Sequence, residues 1–396
     1  MVRFPVAVRL TSAALVLSAC ALRRASPPAP EVFRISSTVA DSISTERLAD
    51  GVLLHRLVRT DGPLRAAVLD IDLAACVTMR AVKGGPTAVG RMTTSALLQS
   101  LPATTRAIAA VNADFFLFTP PGVPVGGLVE DGKLIAGPIE RPVIAFDEQN
   151  HPFIGTLSIT TTLSSPRALL SAMSWNRPRS TIPGIVDAAW AQRLDSIVKL
   201  TARLLVPVRS GETPEMARYR IARMPDAHSG IVTGDTLLLI GRGTDALSNG
   251  DTVTLRRSLA PVTPFNAVGG FPMLLRDSAL VATLDADGAA SFRGVNPRTA
   301  AGVALRGRRL LLVVIDGRRP GYSVGTTTRQ TAELMRDLGA ADAVNLDGGG
   351  STAMVIRDAP SGAIRLVNRP SDAAGERPVA NALAVTGVCA AARQPR

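Results

Sequence analysis

The chain has 396 residues, with 44 Lys and Arg against 32 Asp and Glu and a formal net charge of +12. Its basic residues are scattered, mostly arginine, and two Trp and two Tyr leave little to stack on bases, which argues against a nucleic-acid role and leaves anionic envelope polymers or lipid headgroups as partners for a positive surface. A hydrophobic share of 46% is ample for a large core, in one domain or two.

At the N-terminus, Arg3 and Arg9 lead into an apolar stretch at 10–19 that is too short for a permanent membrane helix. Leu17, Ser18, Ala19 and Cys20 follow, and they resemble a bacterial lipobox. The resemblance implies a signal peptide at 1–19, lipidation of Cys20, and a flexible tether at 20–45. With Ala21 next to the cysteine, the anchor would suit an outer membrane, on the periplasmic side of the cell envelope. An ordinary secretory signal is the alternative. Loss of Arg3 and Arg9 leaves 42 basic against 32 acidic residues, a net of about +10. Cys76 and Cys389 then remain, and their spacing alone leaves open whether they pair.

Beyond the tether, 52–58, 64–73 and 77–82 read as strands, 93–101 as a helix, and 107–112 as a buried strand that ends in polar residues. Residues 126–135 alternate through Asp131-Gly132, the mark of a hairpin turn. The span 157–262 has short apolar runs, many Pro, Thr and Arg, and little periodicity, so it reads as a β-rich insertion in a domain at 46–390. From 266 onward strands at 273–275, 300–305, 310–315 and 343–346 surround a helix at 328–338. The interleaving predicts an α+β fold of mixed β-sheets with packed helices.

Polar residues close several of these strands, where sites on sheet scaffolds form. The most informative run is Val344-Asn345-Leu346-Asp347-Gly348-Gly349-Gly350-Ser351-Thr352: a carboxylate delivered straight into three glycines. Glycine lets backbone amides approach a ligand, so Gly348, Gly349, Gly350 and Ser351 could present N–H groups to an anion or a sugar oxygen beside Asp347. A tight turn between strands is the plain alternative. The run is not a nucleotide-binding loop, since no Gly-Lys-Ser/Thr follows. Other motifs are Asn112-Ala113-Asp114-Phe115-Phe116, Asn296-Pro297-Arg298-Thr299, Asp316-Gly317-Arg318, Glu333 in the helix, Asn368-Arg369-Pro370-Ser371-Asp372 and Arg377-Pro378-Val379. His55, His151 and His228 lie outside all of them, which argues against a histidine metal site or a Ser/His triad.

In order and spacing these motifs resemble the phosphodiester glycosidase family, the uncovering-enzyme-like domain, over about 109–385 and most densely from Arg298. Residue 114 departs from the family, where glycine is often found, so Asp114 is a subfamily ligand or a turn residue. The resemblance implies hydrolysis of a sugar 1-phosphodiester, of the N-acetylglucosamine-1-phosphodiester kind, at its glycosidic bond, freeing the sugar and a phosphomonoester. A phosphate is a good leaving group, so one carboxylate and a cation can suffice. In that reading Asp347 acts at the reacting carbon, Asp316 is the second carboxylate, and Asn112 orients the sugar. Arg298 and Arg377 hold the phosphodiester, with Thr299, Gly348, Gly349, Gly350, Ser351, Asp114, Glu333 and Asn345 completing the substrate pocket. No cofactor is required; Ca²⁺ or Mg²⁺ on Asp114, Asp316 and Asp347 stays open because hard cations prefer oxygen ligands. A non-catalytic glycan-binding envelope lipoprotein is the other reading, and the presence of both Asp316 and Asp347 favours the enzyme.

Overall fold

The computed structural model describes residues 35–37, 39–119, 121–171, 173–177, 182–190, 202–209, 216–223 and 234–389. The signal, Cys20, most of the tether and His228 fall outside them. The chain divides into a short unit, Met1–Ile35, and a large one, Ser36–Arg396, to which every described strand and helix belongs.

Sheets dominate, and the expected α+β fold with packed helices is overturned: the protein is mostly β. The helices are short, α1 at Thr94–Ser100, α2 at Ala290–Arg293 and α3 at Thr328–Asp337. Only the sheet that contains the parallel pair Ser174–Trp175 with Gly184–Val186 is mixed, since every other described strand pair is antiparallel. The reason lies in the apolar runs. The strands they form are two to nine residues long, the buried ones rich in Val, Leu, Ile and Ala, and sheets cover sheets where the interleaved pattern had suggested helices as the covering layer.

One eight-stranded sheet carries the centre of the molecule, in the order Ser42–Ala49, Val52–Arg59, Leu64–Asp72, Arg309–Ile315, Arg298–Ala304, Asp342–Asn345, Met273–Arg276, Ala279–Leu280. Its middle strands are buried on both faces. A five-stranded sheet, in the order Ile364–Leu366, Met354–Arg357, Ala107–Asn112, Asn381–Thr386, Thr78–Lys83, shares a core with it through Val111, Met354, Ala301 and Leu312. A second eight-stranded sheet is drawn from 158–260, and its core residues Leu239, Leu255 and Tyr219 pack with Val129, Val143 and Ala267 of the neighbouring five-stranded sheet. That sheet includes the hairpin Leu128–Glu130 and Lys133–Ala136, turned at Asp131 and Gly132 with φ of 49° and 77°.

α3 starts at a capping box, with Thr327 accepting from the Gln330 N–H while the Gln330 side chain accepts from Thr327 N–H. It lies close on the central sheet, where a Cβ at Gly302 would come within 2.5 Å of Met335 Cε. Cys76 and Cys389 form a disulfide beyond the paired ends Thr78 and Thr386. Among the described residues no helix is long and apolar enough to cross a membrane.

Candidate active site

Asp347 stands at the end of the central-sheet strand Asp342–Asn345, where the chain leaves the core for the glycine run. Its peptide is held from two sides by the strand Ala107–Asn112 and its extension: Asp347 N–H donates to Ala113 O at 2.8 Å, and Asn112 Nδ2 donates to Asp347 O at 2.6 Å. Asn112 is itself fully buried, and its Oδ1 accepts from Thr299 Oγ1 at 2.7 Å and from Ala353 N–H at 3.0 Å. Fully buried and bonded to Asp347 O, Thr299 and Ala353, it is not among the residues that line the cavity where a sugar would sit. Thr299, also buried, belongs to the same clamp. The Asp347 carboxyl is half-buried and faces a cavity of about 360 Å³, lined by Phe115, Phe292, Asn296, Arg298, Arg318 and Arg377 with the three glycines. Enclosure by protein pushes its pKa up to about 6, against the pull of Ser351, the Gly348 N–H and Arg377.

The glycine run folds as one 3₁₀ turn, Gly349–Ser351, with Gly349 at φ 62°. Its amides do not all face a ligand as the sequence suggested. Gly348 N–H bonds Asp347 Oδ1 at 3.0 Å and Gly349 N–H bonds Pro297 O at 2.9 Å, whereas Gly350 N–H has no protein acceptor among the described residues. The small size of Gly350 has a separate cause, since a Cβ there would overlap Asp372 Oδ1 and Arg377 Nη2.

Three guanidinium groups border the cavity. Arg377 is clamped by Asp372 through Nε to Oδ2 at 2.7 Å and Nη2 to Oδ1 at 2.9 Å. Arg318, at φ 60°, donates from Nη2 to Asn296 Oδ1 at 2.8 Å and passes beside Gly349. Arg298 is 2% exposed and mainly structural in its bonding: Nε donates to Thr326 O, and Nη2 to Phe292 O and Gly294 O, at 2.6–3.1 Å. Its guanidinium also stacks over the Phe292 ring at 5.4 Å. Burial, together with the nearby charge of Arg318, pulls its pKa down to about 10, still charged at neutral pH.

Asp316 is not brought to this cavity. Its carboxylate accepts from Tyr322 OH, Asn368 Nδ2 and Arg369 N–H at 2.9–3.1 Å, which ties the strand Arg309–Ile315 to the 368–369 segment. The sequence pattern could place a carboxylate at a strand end but not on a side of the sheet. Arg318, two residues on, reaches the cavity instead. Asn345 is buried and donates to Phe271 O and Leu346 O. Glu333 lies on α3, outside the cavity lining, with its charge felt by Arg329. Ser351 is buried against Asp347, and Asp114 lies behind it, fully enclosed. Asp114, Asp316 and Asp347 thus do not assemble as a ligand set, and among the described residues no group of three His, Cys, Asp or Glu could hold a metal ion. Cys20 lies outside the described residues. Sequence reasoning passed over Asn296, Asp372, Phe115 and Phe292 as site residues. All four sit in or near the quoted motifs, but only the fold aims them.

Residues 238–386 match the family model described as phosphodiester glycosidase, and the resemblance carried by the motifs is borne out over that span. No curated protein matches the chain. A hypothetical protein from Synechocystis superposes with a TM-score of 0.69 at 21% identity, over 87% of this chain and 63% of its own. The chain therefore spans less than two thirds of that protein's length. A protein from Burkholderia pseudomallei K96243 described as exported superposes at 0.61 with 25% identity, over 83% and 75%. The catalytic domain of zebrafish N-acetylglucosamine-1-phosphodiester α-N-acetylglucosaminidase, auto-inhibited by its pro-peptide, gives 0.44 at 16% identity over 87% and 81%. The first two establish a shared fold.

Proposed function

We propose, from the match of residues 238–386 to the phosphodiester glycosidase family, that the protein hydrolyses the glycosidic bond of a sugar 1-phosphodiester in envelope glycans or related glycoconjugates. The observation that carries this reading is a single half-buried carboxylate, Asp347, opening into a cavity bordered by Arg298, Arg318 and Arg377. An anionic diester is attracted by the guanidinium groups, and Arg318 and Arg377, both lining the cavity, hold its phosphate by charge-assisted bonds. Phe115 and Phe292, 5.6 Å apart between ring centroids, offer an apolar wall for a sugar face.

Water attacks the anomeric carbon as the bond from that carbon to the phosphate oxygen breaks. The oxygen leaves with the phosphomonoester, and the water's hydroxyl stays on the sugar. Asp347 acts on the anomeric carbon or on the attacking water, and the cations stabilise charge growing on the leaving phosphate. With a leaving group this stable, no second carboxylate is needed to protonate it. Asp316 serves by holding the loop that carries Arg318 and Arg319.

The test is a panel of sugar 1-phosphodiesters, including N-acetylglucosamine-1-phosphate linked to an alcohol, incubated with the purified chain lacking its signal. Free sugar should appear from at least one. Asp347→Asn, nearly unchanged in shape, should lose at least about 100-fold in turnover while its melting temperature stays close to wild type. Binding of a diester without release of sugar would replace the enzyme with a glycan-binding envelope protein. For location, the reading is an envelope lipoprotein anchored through Cys20, supported by the lipobox-like stretch.

A further inference from the structure

We propose that Asp114 is a positioning residue for Asp347: a buried carboxyl that keeps its proton while Asp347 is ionised, and whose ionisation ends the pocket's activity on the alkaline side. The activity half of this inference rests on the function proposed above. The structural half does not.

Asp114 directly follows Ala113, whose carbonyl holds the Asp347 N–H at 2.8 Å, and its own N–H is fixed by Asn381 Oδ1 at 2.8 Å. The two carboxyls therefore hang from adjoining points of one backbone crossing. A slot has been built for the deeper one. Gly126 and Gly269 face Asp114 so closely that a Cβ on either would lie 3.0 or 2.7 Å from its Oδ2. One described hydrogen bond reaches the carboxyl, from Gly126 N–H to Oδ2 at 2.7 Å. Asp316, also buried, receives three donors. An enclosed carboxylate with a single donor is poorly compensated for lost hydration, and the neutral acid is favoured.

The charges around it do not reverse that balance. Arg177 and Arg141 favour the anion, and Asp347 opposes it. Arg177 is engaged with the carbonyls of Gly137, Pro124 and Gly126, and Arg141 stacks over Phe271 at 4.8 Å. Burial dominates and pushes Asp114 up to about 7, above the value of about 6 at Asp347. Asp347 borders the arginine-lined cavity and accepts from Gly348 N–H, whereas Asp114 is enclosed with one donor, so of the two Asp114 is the one that holds the proton. Above both values the two carboxyls are ionised, and the second buried negative charge repels an anionic diester from the pocket.

Carbon-13 carboxyl resonances of the mature chain, followed against pH, test the structural half without any substrate. Asp114 should titrate near pH 7 in the wild type and at lower pH in Asp347→Asn, where the opposing charge is gone. Titration in the ordinary carboxylate range, or no movement in that variant, would overturn the proposal. On any diester that is turned over, wild-type kcat/KM should rise through about pH 6 and fall about tenfold per pH unit above 7. Asp114→Asn should keep the rise and lose the fall; an unchanged alkaline limb in a folded Asp114→Asn overturns the activity half. Should that variant fail to fold, the resonances of the wild type and Asp347→Asn decide. Absence of turnover with every diester would remove the proposed reaction and leave the carboxyl titration to stand or fall alone.

Discussion

Two arginines of the same cavity have opposite bonding. Arg298 is buried, with two nitrogens bound to three backbone carbonyls, whereas Arg318 holds one side-chain oxygen and borders open space. An ammonium cannot reproduce the planar fork, so Arg298→Lys leaves buried carbonyls unpaired and should lower the melting temperature by several degrees. Its effect on turnover should be alike for a phosphodiester and for an activated aryl glycoside that carries no phosphate. Arg318→Lys should melt like the wild type and lose roughly 10- to 100-fold on the phosphodiester alone, the range that one or two charge-assisted bonds of about 1.5–3 kcal/mol allow. Melting curves and kcat/KM on the two substrates separate the cases. A phosphodiester-selective loss in Arg298→Lys would return the phosphate to Arg298. The sequence could not make this distinction, because both residues follow a short polar motif next to a buried strand. What separates them is a backbone turn with φ 60° at Arg318 that swings its side chain past Gly349.

At the level of elements, many strands were legible where apolar residues ran unbroken between turn residues, although the runs Pro142–Phe146 and Leu237–Ile240 were passed over. Ala107–Asn112 has the bounds its sequence predicts, the hairpin turns at Asp131-Gly132, and α3 begins at its capping box. The glycine turn was legible as a special place but not in its workings. Its three glycines have three different reasons: Gly348 passes the Pro297 carbonyl, Gly349 takes a positive φ, and Gly350 lies under the Asp372–Arg377 pair. The last can be isolated. Gly350→Ala introduces a methyl where the pair sits, at a backbone conformation that alanine accepts, so it should displace Arg377 rather than unfold the turn. Affinity for inorganic phosphate, measured by calorimetry, should fall about tenfold with little change in melting temperature. Unchanged phosphate affinity would show that Arg377 does not bind the anion.

For the whole molecule, the disulfide Cys76–Cys389 fastens the end of the last strand, Asn381–Thr386, to the start of its partner, Thr78–Lys83. That pair belongs to the same sheet as the strand that holds Asp347, so Cys389 is joined to the frame of the site. A disulfide suits an oxidising compartment, in keeping with the lipoprotein reading. Metabolic labelling with a fatty acid should mark the wild type in a bacterial host and not Cys20→Ser; equal labelling of both would remove the lipid anchor from the proposal. By itself the sequence determined the local chemistry: a carboxylate entering three glycines, arginines beside buried strands, a family resemblance carried by short motifs, and the approximate bounds of strands such as Val52–Arg59, Ala107–Asn112 and Arg309–Ile315. These depend on neighbours in the chain, so a short window contains them. Only the tertiary structure decided the covering layer and the membership of the site. Short apolar runs do not say whether a sheet or a helix will lie over them, and a residue at a strand end does not say which face it will meet. The sheet order brings Asn112, Ala113 and Asp114 against Asp347 and turns Asp316 away. Contacts between residues more than two hundred positions apart are set by packing, and no pattern within either segment records them.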